Sequence, residues 1–249
     1  MEKRKETTNL KKKSKAQKIL SHGGRILELD FMRGLAVLGM IVFHYYFTLD
    51  FYGIQQHDVT EGGWHVLGQF VRFTFLALVG ISVTFSQNNN KRAFVILLCA
   101  MAITLASYLF QPDMYVRFGI LHLIAVSIFL IAPLKNHPRT ALILGIIAIF
   151  SPILLLQFSS QSLALIILGV QPLGFSSFDF FPIFPWIAIP LFGIFFGNML
   201  YKNKKPLIPN EIFQKRLLVP VCIFGKNALV VYMIHIPIIF TFLLIAGQV

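Results

Sequence analysis

The chain has 249 residues, of which 56% are hydrophobic and only 13% are charged, and its formal net charge is +12. A soluble domain of this length carries about twice that charged fraction, so the composition excludes an ordinary soluble protein. Apolar runs of membrane-spanning length then indicate a multi-pass membrane protein. The predicted fold is an all-α transmembrane helical bundle.

The N-terminal tail contains much of the positive charge, with ten of the 22 lysines and arginines within residues 1–33. Because no aromatic side chain is interleaved with these bases before Phe31, nucleic acid is not an expected partner. We predict a disordered cytosolic tail over residues 1–25, attracted to anionic lipid, and a membrane domain over residues 26–249. The first apolar stretch is too long for a signal peptide and is expected to remain as an anchor.

About seven apolar segments are long enough to cross a bilayer core of about 30 Å. In chain order they cover residues 30–49, 66–85, 93–110, 118–134, 140–158, 182–200 and 228–246. Two shorter apolar pieces, residues 163–170 and 217–224, are expected to lie at the interface or to dip into the protein.

The distribution of lysine and arginine predicts the orientation. With the N-terminus in the cytosol and the C-terminus outside, 20 of the 22 cationic residues lie on the cytosolic side. The expected location is the plasma membrane. Only Arg72 and Arg117 fall at outer helix ends. We interpret Arg72 as an interfacial anchor and Arg117 as a candidate site for an anionic group of the substrate.

Ionisable residues within membrane spans are costly and usually face a bundle interior or a wet cavity. Three histidines qualify, namely His44, His122 and His235 on the first, fourth and seventh predicted helices. Counted from flanking cationic residues, they lie about 8 to 16 Å into the membrane. A single such histidine is best interpreted as a neutral imidazole bonded to a neighbouring helix. Three at compatible depths favour a shared site.

The spacing from Arg33 to His44 places both side chains on one face of the first helix. Eleven residues correspond to about three turns plus 20°, so Arg33 would lie at the cytosolic mouth of a cavity and His44 deep within it. Asp50, six residues further along, falls near the opposite face and is a candidate substrate-binding residue. At the cytosolic start of the last helix, Lys226 and Asn227 could receive a phosphate group, or Lys226 could simply be a positive-inside flank.

The outer loop before the sixth segment contains Asp179, followed by an entry broken by three prolines. Irregular backbone in a membrane protein is tolerated where protein or water covers it. Asp179 could accept a proton or orient a histidine, or it could be a solvated loop acid. The sequence shows no metal-ligand spacing and no phosphate-binding loop, so we expect no metal and no ATP-driven machine.

The chain resembles the small prokaryotic branch of the heparan-alpha-glucosaminide N-acetyltransferase catalytic-domain family in four stretches that keep the order of the family. They are ELDFMRGLAVLGMIVFHYYFTLDFY, YVRFGILHLIAVS, FDFFPIFPWIAIPLFGIFFG and FGKNALVVYMIHIPI. The spacing from Arg33 to His44 is also similar to that of the wider superfamily of transmembrane acyltransferases, in which this pair is linked to acyl-coenzyme A.

The resemblance implies transfer of an acetyl or acyl group from cytosolic acyl-CoA, with acetyl-CoA as co-substrate, to a sugar or amino-sugar acceptor on the outer side. Our hypothesis is that His44 acts as base or acetyl-accepting nucleophile and that Arg117 helps to bind the acceptor or the thioester. Asp179, His122 or His235 would orient His44. The cationic cluster of Arg33, Lys226 and Asn227 suits the CoA phosphates.

The chain departs from the large lysosomal member of the family, which has asparagine at the position of His44. The active histidine of that member follows a glutamine in the next luminal loop, and here the pair Gln56–His57 resembles it. The catalytic assignment is therefore divided between His44 and His57. The alternative function is a proton-linked transporter or a flippase for a glycan or lipid precursor, with the histidines relaying protons.

Overall fold

The computed structural model describes residues 25–54, 61–155, 158–172, 174–202 and 204–248. Within these ranges the regular structure is helical, and the pairing of Phe118 with Phe180 is an isolated bridge. The prediction of an all-α membrane protein is confirmed. The predicted tail, apart from Arg25, and the candidate His57 lie outside the described residues.

The helices, labelled in chain order, mostly follow the predicted apolar segments. They are α1 Leu27–Phe51, α2 Gly62–Phe85, α3 Asn89–Phe110, α4 Ile120–Ile131 with a 3-10 turn Ala132–Leu134, α5 Pro138–Leu155, α6 Leu163–Leu168, α7 Ile183–Trp186, α8 Ala188–Leu200, α9 Asn210–Phe213, α10 Val219–Lys226 and α11 Ala228–Ile245. Among the described residues, six helices are long and apolar enough to cross a membrane, counting Ile183–Leu200 as one.

The chain divides into two compact units. Unit 1 contains the described residues up to Thr74 and from Lys205 onward, and unit 2 contains Phe75–Lys204. Helix α2 therefore contributes its first half to unit 1 and its second half to unit 2.

In unit 1 the short helix α10 packs directly against the start of α1. Gly34 of α1 faces the backbone of Val221, and Gly225 of α10 faces the carbonyl of Asp30. A Cβ atom at either glycine would overlap the opposing backbone, so the absence of side chains allows the close approach of the two helices. These pairs also show that α10 runs antiparallel to α1. The short segment expected at 217–224 is thus a helix that dips onto the first span.

Helix α11 runs parallel to the second half of α1. The rings of His44 and His235 lie side by side, and further along both helices the rings of Tyr52 and Phe240 have centroids 6.2 Å apart. The first half of α2 is antiparallel to α1, because Gly39 faces Val71 and Tyr46 lies 4.0 Å, centroid to centroid, from Trp64. From these contacts it follows that α1, α2 and α11 pack together near His44.

In unit 2 helix α8 runs parallel to the second half of α2 and antiparallel to α5. Gly193 faces Ala77, and Gly197, four residues on, faces Ile81, so the spacing of these small residues serves helix packing, as the sequence indicates. Asn198, near the end of α8, donates a hydrogen bond of 2.9 Å to the carbonyl of Lys135, which precedes α5.

The directions of the helices in unit 2 indicate that the short helix α4 connects two helices that run the same way. Only three residues separate α2 from α3, so we infer that α3 runs back in the opposite direction to α2. Helix α5 then runs in the same direction as α3, because α5 is antiparallel to α8 and α8 is parallel to α2. The chain must therefore return between α3 and α5, and Ile120–Leu134, about 22 Å long at 1.5 Å per residue, makes that return. About seven predicted segments thus correspond to six long helices and this shorter one.

Candidate functional site

Two histidines predicted to approach each other in the membrane interior lie in contact within unit 1. The imidazole of His44 on α1 and that of His235 on α11 have centroids 4.8 Å apart and meet edge to face at 76°. His235 is only 5% exposed, whereas His44 is half-buried. The parallel packing of α1 and α11 holds the pair together, since Leu49, Ile239 and Leu243 form a buried cluster beyond it.

The hydrogen bonds of the two imidazoles define which nitrogen carries the proton. Nδ1 of His44 lies 2.9 Å from the carbonyl of Met40, and Nδ1 of His235 lies 2.5 Å from the carbonyl of Tyr232. A carbonyl can only accept, so Nδ1 is the donor in each neutral ring and Nε2 keeps a lone pair. Within the described part of the chain, Nε2 of His235 is buried and has no hydrogen-bond partner. The pair therefore presents unprotonated nitrogens inside the membrane.

A cationic network surrounds the start of α1. The carboxylate of Asp30 accepts two bonds of 2.9 Å from Arg25 and one of 2.8 Å from Arg33. Two guanidinium groups thus share one carboxylate, and the hydrogen bond to Asp30 raises the pKa of Arg25. Arg33 also reaches the carbonyl of Gly225 at 3.4 Å, which places it beside the turn between α10 and α11.

That turn contains Lys226 and Asn227. The sequence predicts that both residues lie at the start of the last helix, and the structure places them differently. Lys226 is the final residue of α10, and Asn227 separates α10 from α11. The amide of Asn227 donates to the carbonyl of Ile223 at 2.9 Å and does not cap α11. The structure nevertheless brings Arg33 beside this turn through the carbonyl of Gly225, and a role of these residues in binding CoA stays a prediction.

The sequence analysis did not identify two buried carboxylates in this region, those of Glu28 and Asp30. The carboxylate of Glu28, 5% exposed, accepts backbone N–H bonds from Leu207 at 3.0 Å and Ile208 at 2.7 Å. Asp30 connects both arginines. The local signal for Asp30 was present, because an acid three residues before an arginine on a helix forms an ion pair. The partners of Glu28 are about 180 residues away and carry no such signal.

In unit 2 the third histidine belongs to a separate network. Nδ1 of His122 accepts the N–H of Gly119 at 3.2 Å, and its Nε2 lies 3.3 Å from the hydroxyl of Thr104. That hydroxyl donates to the carbonyl of Val116 at 2.7 Å, so Nε2–H is the donor to Thr104. Both ring nitrogens are thus used in tying α3 to the start of α4. A catalytic role for His122 stays a prediction.

Asp179 binds the backbone at the start of α4, and its role as proton acceptor or as partner of a histidine stays a prediction. Its Oδ2 accepts the backbone N–H of Ile120 at 2.8 Å, so the carboxylate satisfies a free N–H at the first turn of α4. The bond spans 59 residues along the chain. Neighbouring backbone bonds, including Phe181 N–H to the carbonyl of Phe118 at 2.8 Å, hold the two loops side by side.

Arg117 lies in the same loop region of unit 2, between two aromatic rings. Its guanidinium carbon is 5.1 Å from the centroid of Tyr115 and 5.0 Å from that of Phe175. These cation–π contacts fix the side chain. Its Nε is buried and has no hydrogen-bond partner among the residues that the structure describes. An anionic group at this place would satisfy it, and the substrate-binding role of Arg117 stays a prediction.

The candidate residues thus separate into two groups. Unit 1 contains the pair of His44 and His235 and the cluster of Arg33, Lys226 and Asn227, and Asp50 lies half-buried in the last turn of α1. Unit 2 contains Arg117, His122 and Asp179.

Comparison with protein-family models identifies a family that covers most of the chain. Residues 25–237 match the family described as heparan-alpha-glucosaminide N-acetyltransferase, catalytic. This range covers most of the chain and every candidate residue named above. No curated protein and no solved structure matches the chain.

Proposed function

Because this chain belongs to the heparan-alpha-glucosaminide N-acetyltransferase catalytic family, we propose that it is a membrane-embedded acyltransferase. It moves an acetyl or acyl group from acyl-CoA in the cytosol to a sugar or amino-sugar acceptor on the outer side of the plasma membrane. The observation that carries the proposal is the contact of two imidazoles, His44 and His235, whose Nε2 atoms hold lone pairs inside a membrane protein.

Two imidazoles in contact, each with an unprotonated Nε2, would supply a nucleophile and a base for acyl transfer. Nε2 of His44 attacks the thioester carbonyl, the carbon–sulfur bond breaks, and the CoA thiolate leaves, which gives an acylimidazolium on His44. The acceptor amine or hydroxyl then attacks that acyl group while Nε2 of His235 takes its proton. The proton ends on the thiolate, so the products are the acylated acceptor, free CoA and two neutral histidines.

The donor end of this reaction is assigned to the cationic cluster near the start of α1. Arg33, Lys226 and Asn227 would bind the CoA phosphates, since guanidinium and ammonium groups are the usual partners of phosphate. Arg25, Arg33 and Lys226 face the carboxylates of Glu28 and Asp30 near this end of α1, so one positive charge remains among these residues. Along α1 this cluster lies about 16 Å from His44, so the thioester would reach inward while the nucleotide stays at the surface.

The acceptor is assigned to the residues near the outer ends of the helices. Asp50, in the same unit as the histidine pair, is one candidate for binding a polar group of the acceptor. Arg117 of unit 2 stays a candidate from the sequence, with its guanidinium held between two aromatic rings. Asp179 and His122 would act by positioning the start of α4, since both bind its first backbone N–H groups or the residue before them. His57 remains the alternative catalytic histidine.

The test uses purified protein in nanodiscs with acetyl-CoA labelled in the acetyl group and glucosamine-type acceptors. We expect label on the acceptor, and a loss of about 10²- to 10⁴-fold in rate for His44→Gln. His137→Gln, which changes an exposed histidine, is the matched control and should leave the rate unchanged. Activity lost in His57→Gln but kept in His44→Gln would move the catalytic role to His57. Proton-linked uptake without thioester consumption would support the transporter.

A further inference from the structure

A segment of unit 1, residues 205–217, is tied to the start of α1 by hydrogen bonds. The buried carboxylate of Glu28 accepts the backbone N–H groups of Leu207 at 3.0 Å and Ile208 at 2.7 Å. The Asn210 side chain accepts a backbone N–H at 3.1 Å and donates to a carbonyl at 3.0 Å, both in the chain that enters α1. These bonds fix the path of the segment beside the beginning of the first span.

The inner side of the segment is fixed by one aromatic residue. Phe213 is only 6% exposed and belongs to a buried cluster with Leu27, Val219 and Cys222. Its ring also lies 5.3 Å, centroid to centroid, from that of Phe31. The segment therefore has a packed inner side, and its remaining side chains are held on a rigid support.

The outer side of the segment combines large apolar and basic side chains. Four aliphatic side chains are exposed, namely Leu207 at 56%, Ile208 at 43%, Ile212 at 40% and Leu217 at 86%. The exposed cations are Lys205, Lys215 and Arg216, and none of them forms an ion pair with a residue that the structure describes. Since Glu211 is the single acid in the segment, positive charge is in excess.

The attachment to α1 places this outer side at the end of a membrane span. Helix α1 has 25 residues, which corresponds to about 37 Å at 1.5 Å per residue, whereas the hydrocarbon core of a bilayer is about 30 Å thick. Glu28 is the second residue of α1, so the segment bonded to it lies near the boundary between acyl chains and headgroups. At that level aliphatic side chains contact acyl chains while lysine and arginine extend to phosphates.

We propose that residues 205–217 form a docking surface for a membrane leaflet that contains anionic phospholipid. The aliphatic side chains enter the acyl boundary, and the three cations bind lipid phosphates, because clustered bases beside a span are attracted to anionic headgroups. Charge disfavours two other occupants, since the chain before Arg25 and a second copy of this surface are both basic. Docking would hold the start of α1, with Asp30 and its two arginines, against the leaflet. The inference goes beyond acyl transfer and does not depend on it.

The test uses the full chain in nanodiscs of phosphatidylcholine, with and without phosphatidylglycerol. An NBD dye on Leu217→Cys, in a Cys99→Ala background, reports contact with lipids that carry a spin label high in the acyl chain. Cys222 is fully buried and stays unlabelled. We expect quenching in both discs and about twofold more in the anionic discs. High salt should reduce the difference between the discs, because it screens exposed charges.

A triple variant, Lys205→Gln with Lys215→Gln and Arg216→Gln, should abolish the difference between the two discs and keep the quenching in phosphatidylcholine. The matched control changes two exposed cations of unit 2, Lys91→Gln with Arg139→Gln, and should keep the difference. All five changes are at exposed side chains, so the fold is expected to be kept, and thermal melting followed by circular dichroism checks this.

Absence of quenching in both discs would overturn the docking surface, and equal quenching in the two discs would overturn the anionic partner. An undiminished difference in the triple variant would overturn the role of its three cations. Soluble glycerol phosphate distinguishes the source of the phosphate. If it gives the dye in phosphatidylcholine discs the response seen in anionic discs, the segment binds free phosphate and the leaflet is overturned as its partner. None of these measurements uses acyl transfer, so a failure here leaves the proposed function standing.

Discussion

The close contact of α1 with α10 makes Gly225→Ala a sharp test of the packing in unit 1. Alanine favours a helix by about 1 kcal/mol over glycine, so propensity alone predicts stabilisation. The added Cβ, however, overlaps the backbone carbonyl of Asp30 and approaches the backbone N of Gly34. Backbone atoms cannot rotate away from the added Cβ. The resulting destabilisation of the folded state therefore lies at the upper end of the usual overpacking range of about 1–3 kcal/mol.

The gain in helix propensity and the overlap together lower the free energy of unfolding by about 2 kcal/mol. For a chain of this size, that change lowers the melting temperature by about 4–8 °C. Cys222 supplies the assay, because it is fully buried and burial raises the pKa of its thiol to about 11. A maleimide dye therefore reacts with it only when unit 1 opens. Scans in a Cys99→Ala background follow this opening as a function of temperature.

Gly63→Ala is the matched control, since Gly63 is also helical and an added Cβ there meets no atom within 4 Å. Its melting temperature should stay constant or rise by a few degrees. Equal melting temperatures for Gly225→Ala and Gly63→Ala would refute the account of how α10 docks on α1.

Two further predictions concern charge and topology. Asp30→Asn should lower the free energy of unfolding by about 1–3 kcal/mol. The loss is smaller than for breaking a fully buried ion pair, because Arg33 is 21% exposed. In the same thermal scan, Asp113→Asn, a change at an exposed residue, should leave the melting temperature unchanged. If Ile120–Leu134 crosses the membrane, an impermeant maleimide added outside intact cells should label Asp113→Cys but not Asn136→Cys in a cysteine-free background. Labelling of both would show that this segment does not cross.

The sequence predicts those parts of the fold that depend on length and local spacing. Apolar segments long enough for a bilayer give nearly all of the long helices, and the depths of His44 and His235 place them in one layer. Which histidines meet depends on packing between helices remote in sequence. The predicted depth of His122 fits the same layer equally well. Its ring nitrogens, however, form hydrogen bonds with Gly119 and Thr104 in unit 2.

Other features of the site depend on contacts that no local pattern encodes. Asp179 satisfies the N–H of Ile120 across 59 residues, so neither its charge nor its loop position reveals this role. Arg72 is interpreted from the sequence as an interfacial anchor, because its position near Gly68 and Phe43 arises only when α2 folds against α1. Asp30, in contrast, was predictable, since its bond to Arg33 follows from their separation of three residues on one helix.

The most direct test of the central claim is a double-mutant cycle on the two contacting imidazoles. Single-turnover transfer from labelled acetyl-CoA is measured for His44→Gln, His235→Gln and the double variant. If the rings act as one unit, each single change lowers the rate by about 10²- to 10⁴-fold and the double variant is no slower than the slower single one. Losses that multiply, or a His235→Gln variant with wild-type rate, would contradict the account.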